Sequence, residues 1–158
     1  MSLPVSAQAR DSINKAYVAL QNWNTNTANI PLPDVVNTNP STMAQPGGHY
    51  SHAVTANGFV FVSGQLPIAP DGTKLADASF EKQAQCVLDN VANALKGAGS
   101  GVDKLVQVRV YVTDIGVWPA FNALYAKWTG NAKPARCVVP VPQLHYGFKI
   151  EVEATAVK

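Results

Sequence analysis

Charge is what this chain has least of: Asp, Glu, Lys and Arg together make up 14% of 158 residues, against 47% hydrophobic. A surface so poor in charge implies that another subunit covers part of it. The twelve Lys and Arg run from Arg10 to Lys158 with no two adjacent, for a net charge of +2. Displacing counterions from nucleic acid takes a clustered basic patch, and the sequence shows none. Only two cysteines occur, Cys86 and Cys137, with no CxxC or Cys/His spacing, so neither a disulfide framework nor a zinc site is expected. No stretch approaches the ~20 apolar residues of a membrane span. The start of the chain has no charged region followed by an apolar one, as a secretory signal would. Free thiols and a cytoplasmic location are the expectation. Phosphate-cradling GxxxxGK[ST], GxGxxG, GxSxG and HExxH motifs are all absent. The three histidines, His49, His52 and His145, are too few and too oddly spaced to propose a metal.

What is present reads as one domain preceded by an arm. Residues 1–40 form the extension. Ser6 could cap a helix with apolar Ala9, Ile13, Ala16, Tyr17 and Leu20 at three- and four-residue spacing, and Asn22–Pro40 reads as an irregular connector. Residues 41–158 form the domain. Ser51–Thr55 and Phe59–Ser63 are strand-like runs joined by a turn containing Asn57-Gly58, a strong hairpin signal. Ser79 then caps a helix, with Gln83 its partner in the first turn. The helix places Phe80, Ala84, Val87, Leu88, Val91 and Leu95 on one face and ends at Gly97 or Gly99. Leu105–Val112 alternates as a half-buried strand, with Val106, Val108, Val110 and Val112 on one face. Pro119–Trp128 is a second helix, Arg136–Val141 a strand, and Phe148–Val157 the clearest strand, with Glu151 and Glu153 opposite Ile150, Val152 and Ala154. The order β-β-α-β-α-β-β predicts an α+β fold, a mixed sheet with two helices on one face. A sheet face left bare in a monomer predicts a homo-oligomer.

The unusual chemistry lies at strand ends. Arg136 opens an apolar strand as either a surface charge or a fixed fork for a carboxylate. Glu151 reads as a solvated face residue, Asn122 as helix surface, and Ser63-Gly64-Gln65 as a bend. Cys137 reads as a buried strand thiol.

In combination these segments carry more. Gly48-His49-Tyr50-Ser51, Val60-Phe61-Val62-Ser63-Gly64-Gln65, Phe121-Asn122-Ala123-Leu124-Tyr125, Pro134-Ala135-Arg136 and Ile150-Glu151-Val152-Glu153-Ala154 occur in that order. Together they resemble the motifs of the Rid (YjgF/UK114) family over roughly residues 45–158. The resemblance implies a chorismate-mutase-like fold, a homotrimer with clefts between subunits, and no cofactor or metal. It implies hydrolysis of reactive 2-imino and 2-enamino acids to 2-keto acids and ammonia. By position it makes Arg136 the carboxylate-binding residue and Glu151 the acid that positions water. Tyr50, Ser63, Gly64, Asn122 and Val138 then line the substrate cleft. Where the family commonly has Cys, Ser or Thr two residues after the arginine, this chain has Val138. His49, His52, the turn Leu144-His145-Tyr146-Gly147 and Pro140 also depart from the pattern; His145 and Tyr146 add ring surface, so a preference shifted toward a bulkier or aromatic imino acid is expected, the alternative being that they pack the turn or the arm. A non-catalytic trimer that captures small carboxylates is the alternative. A ribonuclease or translation inhibitor is a third reading, against which the scattered charge weighs.

Overall fold

A computed structural model describes residues 7–27 and 34–158. The chain divides into two compact units, the second running Asp34–Lys158. To the first belongs helix α1 (Ala7–Thr27), which carries an Asp11–Lys15 ion pair of 2.8 Å one turn apart. The expected cap, Ser6, lies outside the described residues. The connector expected over Asn22–Pro40 is more ordered than its composition suggested: α1 extends to Thr27, and Val36–Thr38 forms strand β1.

The second unit follows the predicted order. Strands β2 (Ala53–Ala56) and β3 (Phe59–Gln65), helix α2 (Phe80–Gly97), strand β4 (Leu105–Val112), helix α3 (Trp118–Thr129) and strands β5 (Ala135–Pro140) and β6 (Ile150–Val157) succeed one another. They build a six-stranded sheet in the order β1-β2-β3-β6-β4-β5, antiparallel except for the parallel pair β4–β5. The β2–β3 hairpin turns on Asn57 and Gly58, both at positive φ (50° and 77°), the pattern that matches strand twist across a two-residue loop. Among the described residues no helix is long and apolar enough to cross a membrane.

Period-two alternation sorts the side chains. Val60, Val62, Val108, Val110, Val112, Ile150, Val152 and Ala156 all point to one face, where Val87, Leu88, Val91 and Leu95 of α2 and Phe121 of α3 bury them. On the other face Phe59 and Phe61 remain 41% and 47% exposed, and Val139 38%. Nothing in the second unit covers that face.

Three details depart from expectation. A register shift between Leu105 and Gln107 breaks the alternation at the start of β4, so Leu105 is buried and Val106 is turned out to solvent. Cys137 is exposed, not buried, because it pairs with Arg109 on the uncovered face; Cys86 is the half-buried thiol, its pKa pushed up by burial and by the charge of Asp89. Gln83 closes the first turn of α2 with its backbone N–H, which donates to the Ser79 carbonyl at 3.1 Å, but its side chain is engaged elsewhere. Ser79 caps the helix by accepting from the Lys82 amide (3.3 Å). Gln83, fully buried, donates to the carbonyls of Ala76 and Ala78 and accepts from the Lys149 amide at 2.9 Å. One amide thus ties the loop before α2 to the start of β6.

Gln83→Leu keeps the volume and strands the Ala76 carbonyl and the Lys149 amide, while the Ala78 carbonyl keeps Lys149 Nζ (3.0 Å). Each unsatisfied buried polar group costs about 1–3 kcal/mol. The variant is expected to lose at least ~2 kcal/mol in urea unfolding at matched protomer concentration, with an unchanged m-value.

Candidate active site: two half-sites on opposite faces

Arg136 is the second residue of β5 and pairs in register with Val108, a wholly buried position, so its side chain shares the helix-covered face. There its Nη2 donates to Oδ1 of Asn122 on α3 at 3.0 Å, and its Cζ lies 4.6 Å from the centroid of the Tyr125 ring. Tyr125 is one helical turn on from Phe121, and its ring is wedged between Phe121 (5.6 Å) and Trp128 (5.8 Å). The guanidinium is therefore held from two directions, by an amide and by a π face. Among the described residues no carboxylate pairs with it; the ion pairs there are Asp11–Lys15 and Glu153–Arg109. A half-buried planar cation with spare N–H groups and no counter-ion is suited to a bidentate carboxylate. Val138, two residues on, packs against the core and contributes no polar side-chain atom.

Tyr125 is a residue that the sequence reading placed only in an apolar stripe. The residue is 6% exposed, its buried hydroxyl has no partner among the described residues, and burial raises its pKa against the opposing pull of Arg136.

Glu151 lies three register positions away and on the other face. It pairs with Tyr111, which pairs in turn with Val139 of β5, so Glu151 and Arg136 differ in parity and point to opposite sides of one sheet. A bulge in β3 between Val62 and Gln65 brings Ser63-Gly64 against β6. A Cβ at Gly64 would fall on the Glu151 Oε1 and within 3.0 Å of its Cδ, so the carboxylate can lie there only because residue 64 has no side chain. Glu153 on the same face is committed to Arg109 (2.9 Å) and the Tyr111 hydroxyl (3.1 Å), whereas among the described residues no side chain hydrogen-bonds Glu151. Burial raises the pKa of Glu151, partly offset by nearby His145 and reinforced by Glu153. That is the environment of a proton acceptor tuned toward neutral pH.

The other expected residues join this second cluster. Tyr50, half exposed, and Gly64 line a cavity of about 430 Å³ together with His52, His145 and Tyr146. Ser63 Oγ donates to the Ser51 carbonyl at 2.7 Å and fixes the strand entering that cavity. His52 is buried; its Nε2 donates to the Ala44 carbonyl (2.8 Å), and its buried Nδ1 has no partner among the described residues. Of the departures from the family pattern, His52, His145 and Tyr146 share this cavity, while His49 and Pro140 do not line it. Among the described residues no group of three or more His, Cys, Asp or Glu is placed to hold a metal ion.

One chain thus carries an Arg136–Asn122–Tyr125–Val138 half-site on the helix face and a Tyr50–Ser63–Gly64–Glu151 half-site on the bare face. The sheet keeps them apart.

Residues 41–158 match the family model described as endoribonuclease L-PSP. The chain is 40% identical over 109 residues to the mitochondrial protein MMF1 of Saccharomyces cerevisiae, covering 69% of this chain and 74% of that one. It is 35% identical over 109 residues to the chloroplastic Reactive Intermediate Deaminase A of Arabidopsis thaliana, covering 69% of this chain and 58% of that one. A crystal structure of E. coli TdcF with bound serine superposes with a TM-score of 0.72 at 28% identity, over 78% of this chain and 98% of that one.

The ring beneath Arg136 is separable from its hydroxyl. Tyr125→Phe is expected to bind pyruvate, a minimal carboxylate probe, as the unmodified protein does. Tyr125→Leu is expected to weaken that binding by about 2–30-fold, the range of a cation–π contact. Isothermal titration calorimetry of both variants checks this.

Proposed function

The chain belongs to the endoribonuclease L-PSP (Rid) family, and we propose that within it this protein hydrolyses 2-imino and 2-enamino acids to 2-keto acids and ammonia. The observation that carries the reading is the pairing of chemistries: an arginine oriented by Asn122 and Tyr125 and a half-buried carboxylate, the first without a counter-ion and the second without a hydrogen-bond partner among the described residues. The first suits the carboxylate of an imino acid. The second suits the water that must attack its C=N carbon.

Hydrolysis then needs little else. With the substrate carboxylate on Arg136, Glu151 takes a proton from water as oxygen bonds to the imine carbon and the C=N electron pair moves to nitrogen. Glu151 returns that proton to nitrogen, giving a carbinolamine. It then carries the proton of the new hydroxyl to the amine, the oxygen electron pair forms C=O as the C–N bond breaks, and ammonia and a 2-keto acid are released. An enamine first takes a proton at its β carbon to become the imine. The electrophile is already reactive, so general-base assistance worth about 10²–10⁴-fold suffices, and no covalent nucleophile is required.

Opposite faces of one sheet cannot close on one substrate. The proposal therefore includes a homotrimer, whose inter-subunit clefts join the Arg136 half of one copy to the Glu151 half of the next. The bare sheet face with Phe59, Phe61 and Val139 gives such an assembly apolar surface to bury. Because Val138 supplies no donor, a trimer that binds small carboxylates without turning them over is the competing reading, and the same assays decide between them.

Glu151→Gln is expected to cut kcat for imines generated by an amino-acid oxidase by about 10²–10⁴-fold. Burial raises this carboxyl above its ordinary 4.5, so kcat/KM should fall, as pH drops, through a midpoint above 4.5, and the variant should lack that limb. A raised carboxyl pKa favours the protonated form in the fold and so adds no stability at neutral pH. The Gln variant should melt no lower at pH 7. Retained turnover in Glu151→Gln would remove Glu151 from the mechanism, whereas no turnover in the unmodified protein would favour the binding reading.

Co-expressed Arg136→Ala and Glu151→Gln chains, each inactive alone, are expected to recover activity in mixed trimers. Roughly a quarter of the clefts should be intact, because each cleft draws its two halves from different copies. No recovery would place both residues in one chain's site.

A further inference from the structure

The turn between β5 and β6 holds a tyrosine in a backbone conformation that a tyrosine rarely takes. Tyr146 lies at φ 60°, ψ 14°, followed by Gly147 at φ 74°, and the turn is closed by Gly147 N–H to Leu144 O (3.3 Å) and Phe148 N–H to His145 O (3.1 Å). For a bulky residue the left-handed region is strained, and glycine would make the same turn freely. Strain of this kind persists where the side chain has a use.

The ring is also held in place. Phe148, buried under the turn, meets it edge-on at 5.6 Å, and Lys74 Nζ sits 3.7 Å from its centroid. Despite these two partners Tyr146 is 54% exposed, and Tyr50 is 48% exposed. Both rings line the same cavity of about 430 Å³, a size typical of small-molecule sites. Gly64, which packs against the Glu151 carboxylate, is part of the cavity wall, and Glu151 itself is not. Lys74, His52 and His145 also line it, and no carboxylate does.

We propose that this cavity is the pocket for the substrate's side chain and that Tyr146 makes the protein selective for 2-imino acids with an aromatic side chain. The inference rests on the proposed function. With the substrate carboxylate on Arg136 and the reacting carbon beside Glu151, the remaining substituent enters at Gly64 and runs between Tyr50 and Tyr146. Two partly exposed rings offer edge-to-face and offset contacts that an aromatic ring satisfies and a methyl group does not. Lys74 is engaged with the Tyr146 ring, so the pocket favours a ring over a second carboxylate.

The test compares imines generated from phenylalanine and alanine, in the unmodified protein and in Tyr146→Gly. The glycine variant removes the ring and relieves the turn, so its melting temperature should be unchanged or higher. The unmodified protein should show kcat/KM about tenfold or more in favour of the phenylalanine imine, within the range by which apolar pockets discriminate. Tyr146→Gly should bring that ratio close to one. A ratio near one in the unmodified protein, or one unmoved by the substitution, overturns the proposal. If the unmodified protein hydrolyses neither imine, the catalytic reading fails separately, and the pocket is judged by calorimetric binding of phenylpyruvate, pyruvate and 2-ketoglutarate. Tighter phenylpyruvate binding that Tyr146→Gly abolishes upholds it. Equal binding, no binding, or preference for 2-ketoglutarate overturns it.

Discussion

Strand alternation is the constraint on which the rest of this structure depends. Because successive side chains of a strand point to opposite sides, a sheet with helices on one face assigns each residue to the core or to the bare side by parity alone. β6 shows the result plainly: Ile150, Val152, Ala154 and Ala156 are buried, and Glu151 and Glu153 are kept out. The same rule places Arg136 of β5 among the helices and Cys137 beside it on the open side. Arg136 and Glu151, the two charged residues of the proposed site, are each fixed by the fold and separated by it.

The places where parity fails are informative. At the start of β4 a register shift turns Val106 outward. In β3 a bulge does more, because the added residue swings Gly64 into contact with Glu151. Bulges of this sort re-aim side chains next to functional residues, and a sequence pattern of period two carries no mark of them.

Much of the fold was legible in the chain. Asn57-Gly58, Ser79 and the alternation of Phe148–Val157 gave local signals strong enough to set the element order. What stayed hidden was non-local. Gln83 resembles a helix-start residue, yet its amide reaches Lys149, 66 residues on. Cys137 sits in an apolar run, and only the one-sided covering of the sheet exposes it. β1 came from a stretch rich in Asn, Thr and Pro, ordered by pairing with β2. For the site, resemblance named Arg136, Glu151, Tyr50, Ser63, Gly64, Asn122 and Val138 as one group, but the sheet sorts them into two. Tyr125 was missed as a site residue because a tyrosine on the apolar stripe of a helix looks like core. Core it is, with a cation resting on it.

The close approach at Gly64 has a consequence for how the sequence can change. Any side chain there displaces the Glu151 carboxylate, so the fates of codons 64 and 151 are linked although they lie on different strands. Filling position 64 moves the free end of the Glu151 side chain without removing it, so residue 64 governs where the carboxylate sits and not whether it is present. The missing methyl group thus acts as a berth, and changes at the two positions are felt together at this face of the sheet.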